Sequence, residues 1–163
     1  MPLLKSVLCV CIATFLAAGL VHAQLGWKAH STDTKGDLVA IYFTSATKGF
    51  VAGDNGYLAS TNDGGKSWRK YQLNTTENIN EIYFRNDKNG YLVAEKKLFI
   101  TSDGGNSWRE TVIFRPNDFK NSTPTFLSIR FADKKLGLIV GSVLNRKGDL
   151  VLESLVMRTD DGG

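Results

Sequence analysis

Three acidic residues that each precede a pair of glycines are the side chains best placed to do chemistry. Residues 61–68 read TNDGGKSW, residues 101–108 repeat them as TSDGGNSW, and residues 159–163 repeat the first five positions as TDDGG. Such a carboxylate could serve as a catalytic acid or metal ligand, or could accept backbone N–H groups and close a turn. Because the acid recurs in every unit, we predict a structural role. The structural residues predicted are Thr61, Asp63, Gly65, Ser67, Trp68, Thr101, Asp103, Gly105, Ser107, Trp108, Thr159, Asp161 and Gly163.

Residues outside this motif offer weak catalytic signals. A glycosidase needs a pair of carboxylates or, in sialidases, a tyrosine nucleophile with a partner acid and arginines. Tyr42 and Tyr83 occupy the same place in a repeated Ile-Tyr-Phe segment, so we interpret both as strand positions. His30 stands alone, and no metal site, cofactor or catalytic residue is predicted. The other candidates considered are Glu81, Glu95, Arg85 and Arg115.

Arginines next to the motif are candidates for binding a partner. Arg69 and Arg109 each follow a motif tryptophan, and Arg158 precedes the third copy. If the units superpose, Arg69 and Arg109 would form one basic rim suited to carboxylates, the alternative being solvated residues paired with neighbouring acids. A segment at 115–123, which carries Arg115 and Phe119, reads as an inserted surface loop and is the second candidate.

The elements that must position these residues are short strands. In the first unit we predict strands at about 39–45, 49–53, 57–61 and 67–73, separated by glycine- and asparagine-containing turns. Four strands in about 40 residues, repeated, are typical of a β-propeller blade. The fold predicted is therefore all-β, with units at about 24–73, 74–114 and 124–163 and the inserted loop 115–123.

The first 23 residues resemble a secretory signal. A short basic start precedes an apolar run at 6–20, and small residues favour cleavage before Gln24. Cys9 and Cys11 both lie in this segment, so the mature chain contains no cysteine. The net charge of +4 is spread without like-charge runs, which argues against nucleic acid as a partner. We expect export to the periplasm, the thylakoid lumen or the extracellular space.

The repeated pattern resembles the Asp-box, or bacterial neuraminidase repeat. Its Asp-Gly-Gly-x-Ser-Trp form and spacing are most similar to the photosystem II assembly and stability factor family and its non-photosynthetic relatives. That resemblance implies seven exported blades that hold other proteins, with an arginine-bearing face in the photosynthetic members. Protein partners at the cell envelope are therefore expected, with no small-molecule cofactor. The alternatives are part of an exported sialidase-like glycosidase and a surface or adhesion spacer.

Three blades are too few to close a propeller ring, and closure is how a propeller protects its strand edges. Trp27 precedes Ile41 by the same 14 positions that separate Trp68 from Ile82, so it occupies the place of a motif tryptophan. We therefore expect the chain to be the N-terminal part of a longer protein, with the remaining blades as partners of these three. In isolation we expect it to be poorly stable.

Overall fold

The computed structural model describes residues 26–30, 32, 34–115 and 117–163. The chain divides into two units, 1–31 and 32–163. The predicted signal sequence and its cleavage site lie outside the described residues. In the first unit Trp27 is 94% exposed, and its assignment as a motif tryptophan stays a prediction. None of the described helical segments is long and apolar enough to cross a membrane.

The first blade of the second unit is a four-stranded antiparallel sheet in sequential order. A 3₁₀ turn at Asp54–Gly56 joins its second and third strands, with Asn55 and Gly56 at positive φ of 57° and 68°. Asparagine and glycine tolerate that conformation best, which explains the turn. The strands are β1 (Leu38–Phe43), β2 (Gly49–Gly53), β3 (Leu58–Thr61) and β4 (Arg69–Tyr71).

The second blade repeats the same order and pairing. In both blades the fourth strand has only three residues, whereas the prediction for the first blade was 67–73. It is shorter because Ser67 and Trp68 precede the paired residues and because pairing with β3 ends at Tyr71. The strands are β5 (Ile79–Phe84), β6 (Gly90–Ala94), β7 (Lys97–Thr101) and β8 (Arg109–Thr111).

The third blade has three longer strands among the described residues, in the order β11-β10-β9. They are β9 (Ser122–Phe131), β10 (Gly137–Asn145) and β11 (Val151–Thr159). The predicted loop 115–123 was two residues too long, because Ser122 and Thr123 pair with Asn145 and Leu144 of the lengthened β10. The all-β, antiparallel, blade-like architecture predicted from the sequence is confirmed.

The second strands of the first two blades are buried on both faces, and β6 packs against both neighbouring blades. Leu92 and Ala94 of β6 pack with Phe50 and Leu58 in a cluster shared by the first two blades. The intervening Tyr91 and Val93 belong to a second cluster, shared with the third blade, whose members include Phe126, Ile129 and Ile139. Because successive strand residues point to opposite faces, one strand contributes to both cores.

A phenylalanine lies over a glycine at the start of each second strand. Phe84 is the Cα partner of Gly90, and a Cβ on that glycine would lie 2.6 Å from the Phe84 ring. The pairs Phe43 with Gly49 and Phe131 with Gly137 repeat this contact at 2.7 Å and 2.5 Å. The repeated Phe-x5-Gly spacing therefore reflects packing, since glycine leaves room for the ring.

Candidate functional site: the Asp-box turns and the arginine rim

The first two motif turns are closed by one hydrogen-bond network. Asp63 Oδ1 accepts the Ser67 backbone N–H at 2.9 Å and the Thr61 hydroxyl at 2.7 Å. Its Oδ2 accepts the Ser67 hydroxyl at 2.5 Å, and the Gly65 N–H donates to Thr61 Oγ1 at 2.9 Å. Each group thus satisfies a backbone or side-chain donor of the same turn.

The second turn reproduces this network, and the network changes the acidity of its carboxylate. Asp103 accepts the Ser107 N–H and hydroxyl and the Thr101 hydroxyl, at 2.9, 2.5 and 2.7 Å. These bonds, led by the Ser107 hydroxyl, hold the pKa of Asp103 well below its usual range, and the pKa of Asp63 is lowered in the same way. Because both carboxylates stay ionised and accept hydrogen bonds within their own turns, neither carries a proton that a general acid could donate, and the geometry supports the structural role.

Each turn is also tied to the first hairpin of its blade. The N–H of Gly64 donates to the Thr47 carbonyl at 2.9 Å, and that of Gly104 donates to the Lys88 carbonyl at 2.8 Å. In the third blade the Gly162 N–H donates to the Lys135 carbonyl at 2.9 Å. The first motif glycine has positive φ in all three copies, which is the conformation that glycine adopts without a Cβ penalty.

The third motif, of which the sequence contains the first five positions, differs in the bond made by its second glycine. Its Thr159 hydroxyl donates to Asp161 Oδ1 at 2.5 Å, as in the other copies. The Gly163 N–H, however, donates to Asp161 Oδ1 at 3.1 Å, whereas Gly65 and Gly105 donate to the threonine hydroxyl. The carboxylate of Asp161 nevertheless has a lowered pKa, chiefly through the Thr159 hydroxyl.

The two motif tryptophans differ in their aromatic contacts. Trp68 meets Phe43 edge-on at a centroid distance of 6.5 Å, whereas Trp108 meets Phe84 at 5.8 Å and Phe50 of the preceding blade at 6.2 Å. The sequence predicted a carbonyl acceptor for the indole N–H. For Trp108 that expectation was wrong, because its buried Nε1 has no hydrogen-bond partner among the described residues.

The tyrosines considered as nucleophiles lie at blade junctions. The Tyr42 hydroxyl donates to the Phe84 carbonyl of the next blade at 3.0 Å. Tyr83 stacks on Phe131 with an interplanar angle of 11° and lies beside the guanidinium of Arg130. Both side chains therefore join neighbouring blades.

The acids considered for catalysis are also engaged, Glu81 at a blade junction and Glu95 within the second blade. Glu81 Oε2 accepts the Ile129 N–H of the third blade at 2.7 Å, and Oε1 pairs with Arg130. Glu95 Oε1 accepts the side-chain amide of Asn78 at 3.0 Å. Among the described residues no group of three or more His, Cys, Asp or Glu side chains could hold a metal ion.

Arg69 and Arg109 occupy equivalent places in their blades. Arg69 of β4 is the Cα partner of Ser60, and Arg109 of β8 is the partner of Ile100, in each case one residue before the motif threonine. Both arginines are exposed, and neither has an ion-pair partner within the described part of the chain. This placement supports the predicted basic rim.

The other predicted binding residues lie elsewhere or are engaged. Arg158 of β11 forms a bidentate contact with Asp160, whose Oδ1 lies 2.6 Å from Nη2. The Arg115 side chain is exposed, and Phe119 is half-buried against Phe114 at 5.4 Å. These three residues therefore do not extend the rim formed by the fourth strands.

A cavity beside each rim arginine separates neighbouring blades. The cavity of 530 Å³ at the first junction includes Lys48, Phe50 and Arg69 in its lining. The cavity of 410 Å³ at the second includes Arg85 and Arg109. Sequence reasoning did not connect these two arginines. The available signal was a departure from the repeat, since Arg85 follows Phe84 where Thr44 and Ala132 follow the equivalent phenylalanines.

Comparison with known proteins places this architecture in one family. The family model described as photosynthesis system II assembly factor YCF48 matches residues 20–80 and 66–163. The photosystem II assembly lipoprotein Ycf48 of Synechococcus sp. (strain CC9902) is 26% identical over 142 residues, which cover 84% of this chain and 38% of the relative. The protein of the same name from Parasynechococcus marenigrum (strain WH8102) is 32% identical over 80 residues, 49% of this chain and 23% of the relative.

Two solved structures share the fold. A structure described as YCF48 bound to D1 peptide matches with a TM-score of 0.63 and 24% identity, over 84% of this chain and 41% of that chain. YCF48 from Cyanidioschyzon merolae matches with a TM-score of 0.54 and 17% identity, over 76% and 38%. The chain thus spans about two fifths of the length of these relatives. With three propeller blades and a family match over residues 20–163, it belongs to the photosynthesis system II assembly factor YCF48 family.

Proposed function

We propose that this chain forms part of an exported, non-catalytic β-propeller that binds a protein partner during assembly of photosystem II. The observation that carries the proposal is the family match across residues 20–163. Because the chain spans about two fifths of its relatives, the proposal concerns the contribution of these blades to a larger protein.

The engagement of the polar side chains supports a non-catalytic role. A glycosidase needs carboxylates that reach the substrate. Glu81 bonds to the third blade, and the motif carboxylates bond within their own turns. These groups serve the architecture, and a propeller built in this way presents loops and strand edges to a partner.

The partner surface proposed is the basic rim of Arg69 and Arg109. Arginine side chains that lack an acidic neighbour retain the capacity to bind carboxylates of another protein. A related YCF48 is known in complex with a D1 peptide. We therefore take a photosystem II polypeptide, represented by D1, as the partner of this chain.

The proposed location follows from the N-terminal sequence and the relatives. The segment 1–23 resembles a cleaved export signal, and the curated relatives are named lipoproteins. Of the expected locations, we propose the thylakoid lumen or the periplasm as the compartment, because partners of this class lie at the photosynthetic membrane.

Binding of a fluorescent D1 peptide, followed by anisotropy, tests the partner assignment. We expect saturable binding to the full chain that weakens at high salt. The double variant Arg69→Gln/Arg109→Gln should weaken binding by about tenfold or more, because each charged hydrogen bond contributes about 1.5–3 kcal/mol.

Arg146→Gln is the matched control for this experiment. Arg146 is exposed in the turn between β10 and β11, so its replacement removes one charge away from the rim. An equal loss of binding in Arg146→Gln would indicate a nonspecific charge effect and contradict the rim. Absence of D1 binding to the full chain would contradict the proposed partner.

A further inference from the structure

The 410 Å³ cavity between the second and third blades concentrates hydrogen-bond donors. Its lining combines two guanidinium groups and an indole with a hydroxyl, a phenol that already donates to the Gly162 carbonyl and an amide that already donates to Asn86. These belong to Arg85, Arg109, Trp108, Tyr91, Asn89 and Ser102.

Two of these donors are buried without an acceptor. Arg85 Nε and Trp108 Nε1 are the only buried side-chain nitrogen or oxygen atoms of the described residues that lack a hydrogen-bond partner. Both residues line the same cavity. An unpaired buried donor costs about 1–3 kcal/mol, so the coincidence of two at one place calls for an acceptor.

The lining of the cavity is positively charged, because its described residues include Arg85 and Arg109 and no acidic residue. Asp103 accepts hydrogen bonds from its own turn. Asp133, whose pKa is lowered chiefly by the Leu136 and Lys135 backbone N–H groups and only slightly by Arg85, makes no ion pair with that arginine.

The position of Arg85 is fixed while part of its guanidinium stays available. Its Nη1 donates to the Lys134 carbonyl at 2.5 Å, and the group lies 5.1 Å above the centre of the Phe131 ring. These two contacts hold the Arg85 charge at the junction, so little side-chain entropy would be lost when a ligand binds. Arg109 approaches from β8 and has no acidic partner in the described structure.

We propose that this cavity binds a carboxylate of a peptide. Arg85 and Arg109 supply the charge, and the indole N–H of Trp108 supplies a directional donor. Tyr91 and Ile100 form an apolar wall for the residue that carries or adjoins the carboxylate. The inference rests on the proposed function, since it specifies the chemistry of a partner group recognised next to the rim.

The first blade junction provides an internal comparison. Thr44 stands there in place of Arg85, and Lys48 in place of Asn89. The first cavity still contains Arg69, the equivalent of Arg109, but it does not include a motif tryptophan in its lining. A carboxylate that needs Arg85 and Trp108 is therefore selective for the second junction.

Indole ¹⁵N–¹H resonances of the labelled full chain can report this binding directly. The chain contains three tryptophans, Trp27, Trp68 and Trp108, so substitution of each by Phe assigns the signals. The probes are acetyl-Ala-Ala-Leu with a free α-carboxylate, its carboxamide, and acetyl-Ala-Asp-Leu-amide. The first and third distinguish a main-chain from a side-chain carboxylate, and either supports the site.

We expect a carboxylate probe, but not the carboxamide, to shift the Trp108 indole signal while the Trp68 signal stays in place. Arg85→Gln and Arg109→Gln should each weaken binding about tenfold. Arg146→Gln, which removes an exposed charge away from the cavity, should leave it unchanged. Arg109 is exposed, so its variant tests the site even if Arg85→Gln perturbs folding.

An equal response to acid and carboxamide, or no response of Trp108, would overturn the carboxylate site. The D1 assay separates this failure from that of the proposed function. If D1 binding depends on Arg69 and Arg109 but is unchanged in Arg85→Gln, the cavity is not a carboxylate site, whereas the proposed partner surface is retained. A Trp108 signal that shifts only with a carboxylate probe, in a chain that does not bind D1, would support the carboxylate site and contradict D1 as the partner.

Discussion

The motif aspartates act on stability through groups within four residues of themselves. Asp63 and Asp103 are exposed, yet each accepts bonds from a serine N–H, a serine hydroxyl and a threonine hydroxyl. The threonine hydroxyls are buried and would lose their acceptor if the acid were changed. The chemistry that the two turns share is therefore that of a negatively charged hydrogen-bond acceptor.

Acid sensitivity of folding is the expected consequence. The hydrogen bonds from Ser107 and Thr101 lower the pKa of Asp103 in the folded chain below its unfolded value of about 4. Protonation therefore favours the unfolded state. The stabilisation is fully present above the unfolded pKa and is lost as the pH falls through that value towards the folded pKa.

Melting temperatures between about pH 6 and about pH 3 test this expectation. The native chain should lose stability as the pH falls, and Asp103→Asn should start lower and show a shallower dependence. Asp87→Asn, at an exposed acid outside the motifs, should keep the native slope. An unchanged slope in Asp103→Asn would contradict the assignment.

Gly90→Ala tests the contact between glycine and phenylalanine. Its new Cβ would lie 2.6 Å from Phe84, a ring that is 4% exposed and held between Phe50 and Trp108. Since that ring has no free space, we expect a loss of about 1–3 kcal/mol in the free energy of unfolding, measured by urea denaturation.

Gly49→Ala is the matched control. Its Cβ would meet Phe43 at 2.7 Å, but that ring is 42% exposed and can move outwards. We expect the loss to be clearly smaller than for Gly90→Ala. Equal losses would show that backbone preference, and not the buried ring, determines the cost.

At the residue scale the sequence identified the motif and its structural role, but not the cavity. The Thr, Asp and Ser contacts are local, so their spacing along the chain was sufficient to predict a turn. Arg85 and Arg109 are 24 positions apart, the first in the turn after β5 and the second on β8, and their common cavity depends on the packing of the third blade. Long-range placement of this kind is not contained in a local pattern.

At the scale of the blade, the strands could be predicted from the repeat to different degrees. Strand β2 was predicted at 49–53 as observed, because its alternation and its flanking turns are both local. The short fourth strand was overpredicted, since the alternating polar and apolar residues 69–73 fit a strand pattern whether or not they pair. Pairing with β3 sets its length to three residues.

The two motif tryptophans should therefore differ in their contribution to stability. Trp108 joins two blades through Phe50 and Phe84, whereas Trp68 contacts Phe43 of its own blade. We expect Trp108→Ala to cost about 3 kcal/mol or more, and Trp68→Ala less. Urea denaturation of the two variants compares them directly, and an equal or larger cost for Trp68→Ala would contradict the bridging role of Trp108.

At the scale of the whole molecule, three blades are joined by two apolar junctions and leave apolar strands uncovered. On the first blade Ile41 is 64% exposed, whereas the equivalent Ile82 is 4% exposed beneath its neighbour. On the third blade Val140 and Val156 are 43% and 66% exposed. No described residue covers these faces, and the relatives are more than twice as long. Further blades are the covering that propeller geometry favours.

Stability distributed over junctions should be visible in native-state hydrogen exchange. In a repeat architecture each unit depends on its nearest neighbours. Phe126→Ala removes a fully buried ring from the second junction, so amides of β9–β11 should lose protection before those of β1–β3. Leu58→Ala acts at the first junction and should expose β1–β3 first. Identical protection losses in all three blades for both variants would instead indicate a single cooperative unit, and would contradict a fold whose stability is divided between its junctions.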